Sequence, residues 1–207
     1  MDQEIDTLQI SSETPAQTPD KILLAALKLF AEKGYFNTSL TDIANAADIK
    51  ITSTIYQHFN NKQTIALTLY NSIFDNLNAS VDEIRQTNEK SSEQLHGIVN
   101  LLFKLTDDAP DVMTFLLLLK TSDFLAEQKP LLETPAFVKI LKIIQIGIRA
   151  GEIRNIDPMV AMAYFFGIIN NTLSMILSGE LDKKADAYQA QTWLAAWNLI
   201  AKKSTCF

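Results

Sequence analysis

Between Lys62 and Thr87 the apolar residues Ile65, Leu69, Ile73, Leu77, Val81 and Ile84 recur in steps of three and four. That spacing gathers them on one face of an α-helix; a strand, whose side chains alternate with period two, could not collect them. The same rhythm runs through nearly the whole chain of 207 residues, and helix punctuation breaks it. Thr18-Pro19-Asp20, Thr134-Pro135 and Asp157-Pro158 combine a capping side chain with a proline at the first helical position. Gly34, Gly151 and Gly179 each follow a periodic run and suit the left-handed residue that ends a helix. About nine helices result, near 18–33, 40–48, 52–59, 62–87, 92–106, 110–127, 135–150, 158–178 and 185–203, so the predicted fold is all-α. The 47% of hydrophobic residues suffices for a sizeable core.

Several function classes fall away on the residue inventory. There are two histidines, His58 and His96, and one cysteine, Cys206, beside the C-terminus. No glycine-rich phosphate loop and no His/Cys cluster at metal spacing occurs, so the chain reads as a non-enzyme with no metal and no cofactor. A lone cysteine makes no disulfide framework, and the expected compartment is the cytoplasm. Pro158 to Gly179 is uncharged and long enough to cross a bilayer, but Asn170, Asn171, Thr172 and Ser174 fall near its middle. Unpaired amides in hydrocarbon cost about 2–7 kcal/mol each, so the stretch reads as a buried interface helix and no membrane is expected as partner.

The net charge of −6 is unevenly spread. Residues 1–17 carry Asp2, Glu4, Asp6 and Glu13 with no Lys or Arg, the opposite of a signal peptide's basic start, and read as a disordered acidic tail. Residues 18–64 set Lys21, Lys28, Lys33, Lys50 and Lys62 against Asp20, Glu32, Asp42 and Asp48, which leaves this segment alone slightly positive.

That segment also carries the functional motif. Ser39 and Asp42 are spaced as a capping box opening a short helix with Ile43 and Ala44 inward. The next short helix turns Ile55 and Phe59 inward at i and i+4 and leaves Thr52, Ser53, Thr54, Tyr56, Gln57 and His58 outward. Two short helices packed on a first, the second with a polar outer flank, form the layout of a helix-turn-helix, whose slim recognition helix offers donors and acceptors to the major groove.

The residues Ala-Leu-Lys-Leu-Phe-Ala-Glu-Lys-Gly-Tyr-Phe-Asn-Thr-Ser-Leu-Thr-Asp-Ile-Ala (26–44) and Thr-Ile-Tyr-Gln-His-Phe-Asn-Asn-Lys (54–62) resemble the TetR family of repressors. The resemblance covers about residues 19–65. It departs at the turn, where Asp48 and Ser53 replace frequent glycines and Ala47 to Tyr56 is one residue longer than the common spacing. It implies that Tyr56 and His58 approach phosphates, that Lys62 neutralises one, and that Thr38 or Ser39 anchors the second helix to the DNA backbone. Base reading falls to Thr52, Ser53, Thr54 and Gln57.

Domains are expected at 18–64, for DNA binding, and 65–207, a helical domain for ligand binding and dimerisation. Phe103, Met113, Phe115, Phe124, Ile144, Phe165, Phe166 and Asn170 are the candidate ligand residues, and they favour a small hydrophobic effector. The helix at 62–87 is the natural lever between the two. The last two helices, through Tyr164, Ile168, Leu173, Ile176 and Leu177 on one and Trp193, Leu194, Trp197 and Ile200 on the other, are the expected homodimer seam. The expected function is a ligand-responsive repressor that binds palindromic double-stranded DNA as a dimer. The alternative is a helical small-molecule, lipid-binding or protein-interaction module without DNA binding, and a mobility-shift assay separates the two.

Overall fold

A computed structural model describes residues 18–119 and 134–203. The acidic segment 1–17, the latter part of the helix expected at 110–127, Phe124 and Cys206 lie outside the described residues. Among those described, eight α-helices and one 3₁₀ helix account for the architecture, and the only β-type pairing is an isolated bridge between Ile153 and Ala201. They are α1 (Thr18–Lys33), α2 (Leu40–Ala46), the 3₁₀ helix (Thr52–Gln57), α3 (Lys62–Thr87), α4 (Ser91–Asp108), α5 (Pro110–Leu117), α6 (Pro135–Ala150), α7 (Pro158–Leu177) and α8 (Asp186–Ile200). The chain divides into two compact units, with one boundary along the sequence between Asn76 and Leu77, inside α3.

In the first unit α1 buries Ile22, Ala25, Ala26, Leu27, Leu29 and Phe30. Gly34 ends it at φ 82°, a left-handed conformation in which a side chain would be strained. The buried Ile43 and Ala44 of α2, Ile55 of the 3₁₀ helix, Phe59, and Ile65, Ala66 and Leu69 of α3 supply the rest of this small core. Each large aliphatic or aromatic side chain fully withdrawn from water contributes about 1.5–3 kcal/mol.

The second unit centres on α4, which packs against α5, α6, α7 and α8, while α7 and α8 form its most extensive helix pair. Leu95, Ile98, Val99, Phe103, Ile140, Ile144, Phe165, Ile169, Leu173 and Ile200 lie in one buried cluster. The helix expected to reach 203 stops at Ile200, because Ala201 turns extended (ψ 142°) and the chain pairs sideways. Arg154 N–H donates to the Ile200 carbonyl at 2.9 Å, and Lys202 N–H to the Glu152 carbonyl at 2.9 Å.

Three helices of this unit start on a carboxylate. Asp157 accepts from the N–H groups of Met159 and Val160 at the start of α7, a cap within a few residues. The other two reach across the fold. Glu152 accepts from the N–H groups of Ser91 (3.1 Å) and Ser92 (3.0 Å) and from the Ser92 hydroxyl (2.6 Å) at the start of α4. Asp107, near the end of α4, accepts from Ala185 N–H (2.8 Å) and Asp186 N–H (3.1 Å) at the start of α8. The first N–H groups of a helix have no partner within it and its amino end carries partial positive charge, so an acceptor anion there satisfies both demands.

Burial opposes ionisation of Glu152, but the bonds from Ser92 and Ser91, helped by Lys90, prevail and hold its carboxyl below the ordinary glutamate value. A depressed native pKa adds stability above the unfolded-state pKa, and that stability is lost as pH falls through the native value. Glu152→Gln should therefore cost about 1 kcal/mol at neutral pH. The deficit relative to wild type should shrink once the pH is below the native pKa, as read by denaturant unfolding at the two pH values.

Candidate nucleic-acid interface and effector core

The interface begins at α2. Ser39 is its cap: Asp42 N–H donates to Ser39 Oγ at 3.1 Å, while the Ser39 N–H (2.8 Å) and hydroxyl (2.6 Å) both donate to Asp42 Oδ2. The hydrogen bonds from the Ser39 hydroxyl and backbone N–H hold the Asp42 carboxyl below the usual carboxylate range. This is the capping box read from the sequence, and it commits the single hydroxyl proton of Ser39 to Asp42.

After Ala47 the turn passes through Asp48 at φ 55°, the only left-handed non-glycine among the described residues. Here the chain departs from the glycine frequent in the resembling family, and the backbone still adopts the conformation glycine would favour. An aspartate tolerates that region better than most side chains, since it can bond its own local backbone.

The segment after the turn is helical, as expected, but wound as 3₁₀ over Thr52–Gln57. Thr54 N–H donates to the Ile51 carbonyl at 2.9 Å and His58 N–H to that of Ile55 at 3.0 Å, both three residues back; Phe59 N–H reaches the Ile55 carbonyl at 2.8 Å, one residue further. The run Ile51-Thr52-Ser53-Thr54-Ile55 is β-branched at four of five positions, and Ile51 offers no side-chain cap, so local preference for an α-helix is weak. Tertiary burial sets the orientation. Ile55 is 0% and Phe59 7% exposed, whereas Tyr56 is 57% exposed.

Around that anchor Ser53, Tyr56, Gln57 and His58 are exposed and Thr52 and Thr54 half-buried, so six of the nine sequence-selected residues share one short edge. The other three do not join it. Ser39 sits at the α2 cap. Thr38 is 1% exposed and donates its hydroxyl to the carbonyls of Gly34 (2.9 Å) and Leu29 (3.3 Å). Lys62 donates from Nζ to the carbonyls of Tyr35 (2.6 Å) and Thr38 (2.7 Å), and its ammonium lies 4.3 Å from the Tyr35 ring centroid. Burial pushes the Lys62 ammonium below the usual lysine value.

Two further residues share the turn with this edge, Lys50 and Ile51, the latter 65% exposed. The sequence signal for them was their place between two short helices with no inward partner.

In the second unit Phe103, Met113, Ile144 and Phe165 lie within the buried cluster, and Phe166 packs against it. Phe115 is buried apart from that cluster, and Asn170 is half-buried. Phe165 meets Phe166 edge-on at 5.1 Å and Trp193 at 6.0 Å, and Trp193 stacks on Trp197 at 5.5 Å. Phe103 also borders an open cleft of about 420 Å³ whose other walls are polar: Asn100, Lys104, Asp107, Asp108, Asp186 and Gln189. No group of three metal-ligating side chains occurs among the described residues.

The strain at Asp48 is open to a direct check. Asp48→Gly should be tolerated or mildly stabilising, while Asp48→Val, a β-branched residue forced to positive φ, should cost about 1–2 kcal/mol. Thermal unfolding of the two variants compares them.

Residues 22–69 match the family model described as bacterial regulatory proteins, tetR family. The biofilm operon icaADBC HTH-type negative transcriptional regulator IcaR of Staphylococcus aureus (strain Newman) is 37% identical over 89 residues, which cover 43% of this chain and 46% of that protein. Its counterpart in Staphylococcus epidermidis is 34% identical over 92 residues, 44% of this chain and 47% of that protein. The chain thus spans about half the length of the curated relatives it matches.

Among solved structures, a TetR family transcription regulator from Marinobacter aquaeolei VT8 superposes with a TM-score of 0.74 at 18% identity, covering 90% of this chain and 96% of that one. FadR from Bacillus subtilis, solved in complex with stearoyl-CoA, gives 0.63 at 22% identity, covering 85% and 96%. Residues 22–69, which contain the capped α2 and the turn at Asp48, are thus similar to the N-terminal segment of the tetR family of bacterial regulatory proteins, and the whole chain shares the fold of the solved regulators.

Proposed function

We propose that this chain is a ligand-responsive transcriptional repressor that binds palindromic duplex DNA as a dimer and releases it when a small apolar effector enters the second unit. The observation that carries the reading is the 3₁₀ edge, with Ile55 and Phe59 buried and Ser53, Tyr56, Gln57 and His58 facing solvent. The negative regulatory role named for the IcaR relatives supports repression. On this reading Thr52, Ser53, Thr54 and Gln57 meet base edges, Tyr56 and His58 meet phosphates, and Ile51 offers an apolar contact for a thymine methyl.

Aliphatic and aromatic residues dominate the interior of the second unit, which supports an apolar effector, and the stearoyl-CoA bound by the FadR of similar fold carries a long apolar acyl chain. To invert a 1:99 population an effector must prefer one state by about 5.5 kcal/mol, which a buried apolar ligand can supply. Phe103, Met113, Ile144, Phe165 and Phe166 are the proposed contacts, with Asn170 available to a polar end.

Leu173 and Ile200 belong to the protomer's own core, so the proposed seam uses other faces of α7 and α8. Val160, Ala163, Tyr164, Gly167 and Asn171 on α7, and Ala187, Gln191, Leu194, Ala195 and Leu199 on α8, are exposed and uncharged. Solvated helix faces ordinarily carry charge, and small uncharged residues let a second copy approach closely. α7 is long and apolar enough to cross a bilayer, but Ala161, Met162, Phe165, Ile169 and Leu173 are packed inside the unit. A cytoplasmic location follows from the proposed DNA partner.

A mobility-shift assay with duplexes from upstream of the gene tests the reading. Tyr56→Ala and Gln57→Ala should each weaken binding by about 1–3 kcal/mol with the fold intact by circular dichroism. No shift of the wild-type protein at low salt would overturn the repressor reading. For the seam, sedimentation of Leu194→Glu should give a monomer where the wild type gives a dimer, with loss of binding to the palindromic site.

A further inference from the structure

Lys62 stands where a helix least welcomes a cation. It is the first residue of α3, at the positive end of the helix dipole, and the first turn of α3 carries no acid to offset it. Three contacts inside the protein compensate. Its ammonium gives two charge-assisted hydrogen bonds, at 2.6 Å to the Tyr35 carbonyl and 2.7 Å to the Thr38 carbonyl, and sits 4.3 Å from the Tyr35 ring centroid. The Tyr35 carbonyl also accepts the Thr38 N–H at 3.4 Å, and the Thr38 hydroxyl is anchored on the carbonyls of Gly34 and Leu29. Thr38 directly precedes Ser39, the cap on which α2 starts. The chain from Tyr35 to Ser39, which sets where α2 begins, is therefore fastened from one side by α1 and from the other by the first residue of α3.

We propose that Lys62 is a positioning residue of the helix-turn-helix, a clamp that fixes the α1–α2 turn to the start of α3, and that its charge is spent inside the protein and not on a DNA phosphate. The inference rests on the DNA-binding reading for its consequence, and on the hydrogen bonds alone for the clamp. Three donors in a compact ammonium fit two carbonyls and a ring; a wide planar guanidinium with a fixed fork of donors is a poor match for the same nook. A phosphate contact is less demanding, because arginine serves there as well as lysine.

The test compares wild type, Lys62→Arg and Lys62→Met on upstream duplexes and on a short mixed-sequence duplex, across a range of salt and well below each melting temperature. Under those conditions a residue that only adds stability leaves affinity unchanged. The clamp predicts that both variants bind about tenfold or more weakly, with the slope of log affinity against log salt equal to that of wild type. Lys62→Arg binding like wild type, or a Lys62→Met slope shallower by about 0.9, would overturn it, since that is the signature of one lost phosphate contact.

If the variants do not fold, the wild-type protein decides by NMR. The Lys62 ammonium should give a resolved, exchange-protected nitrogen signal without DNA and keep its shift when DNA is added; a signal that sharpens or moves only with DNA sinks the clamp. Should wild type bind no duplex at all, the repressor reading fails, while protection of that ammonium still reports on the clamp.

Discussion

Withdrawal of Ile55 and Phe59 from water is the contact on which the exposed edge of the 3₁₀ segment depends. The 3₁₀ segment is too short and too rich in β-branched residues to hold a helical form unaided, and its amino end has no side-chain cap. Burial of these two side chains, worth a few kcal/mol together, gives it one orientation. Once Ile55 points inward, Tyr56 and Gln57 must point outward. Around it the capping box of α2, the left-handed Asp48 and the clamp at Lys62 each remove a freedom that would let this orientation drift.

Charge plays a different part in each unit. In the second unit, carboxylates placed at helix starts satisfy N–H groups that have no other partner, and two of the three come from distant parts of the chain. Glu152 and Asp107 thereby tie α4 to the residues after α6, and α8 to the end of α4. Acidity that looks unhelpful to the proposed DNA binding is partly structural cement. In the first unit the corresponding economy concerns a cation: Lys62 contributes to the formal charge but is turned toward backbone oxygens.

Most of the architecture was legible in the sequence, because helix starts and stops are local chemistry. Thr134-Pro135 and Gly151 bracket α6, and Asp157-Pro158 opens α7, at the residues expected. What escaped depends on distant partners. The stop of α8 at Ile200 is imposed by pairing with Glu152 and Arg154, which no periodicity announces. The 3₁₀ winding was hidden because Ile55 and Phe59 are buried at either pitch. Within the candidate interface the exposed edge was readable from the two apolar positions it lacks, but the inward turns of Thr38 and Lys62 were not: motif position says that a residue matters without saying which way it faces. Leu173 and Ile200 show the same limit, since an apolar residue on an interface helix can serve either its own core or its neighbour's.

The 3₁₀ winding also alters the ruler with which this protein would measure DNA. A 3₁₀ helix rises about 2.0 Å per residue against about 1.5 Å for an α-helix, and residues three apart stand one above the other. Thr54 and Gln57 are therefore stacked in line and separated by about 6 Å along the axis. Stacked base pairs repeat every 3.4 Å or so, so two such side chains span nearly two steps of the duplex. An α-helix of the same six residues would cover a shorter stretch of groove and fan its side chains over a wider arc.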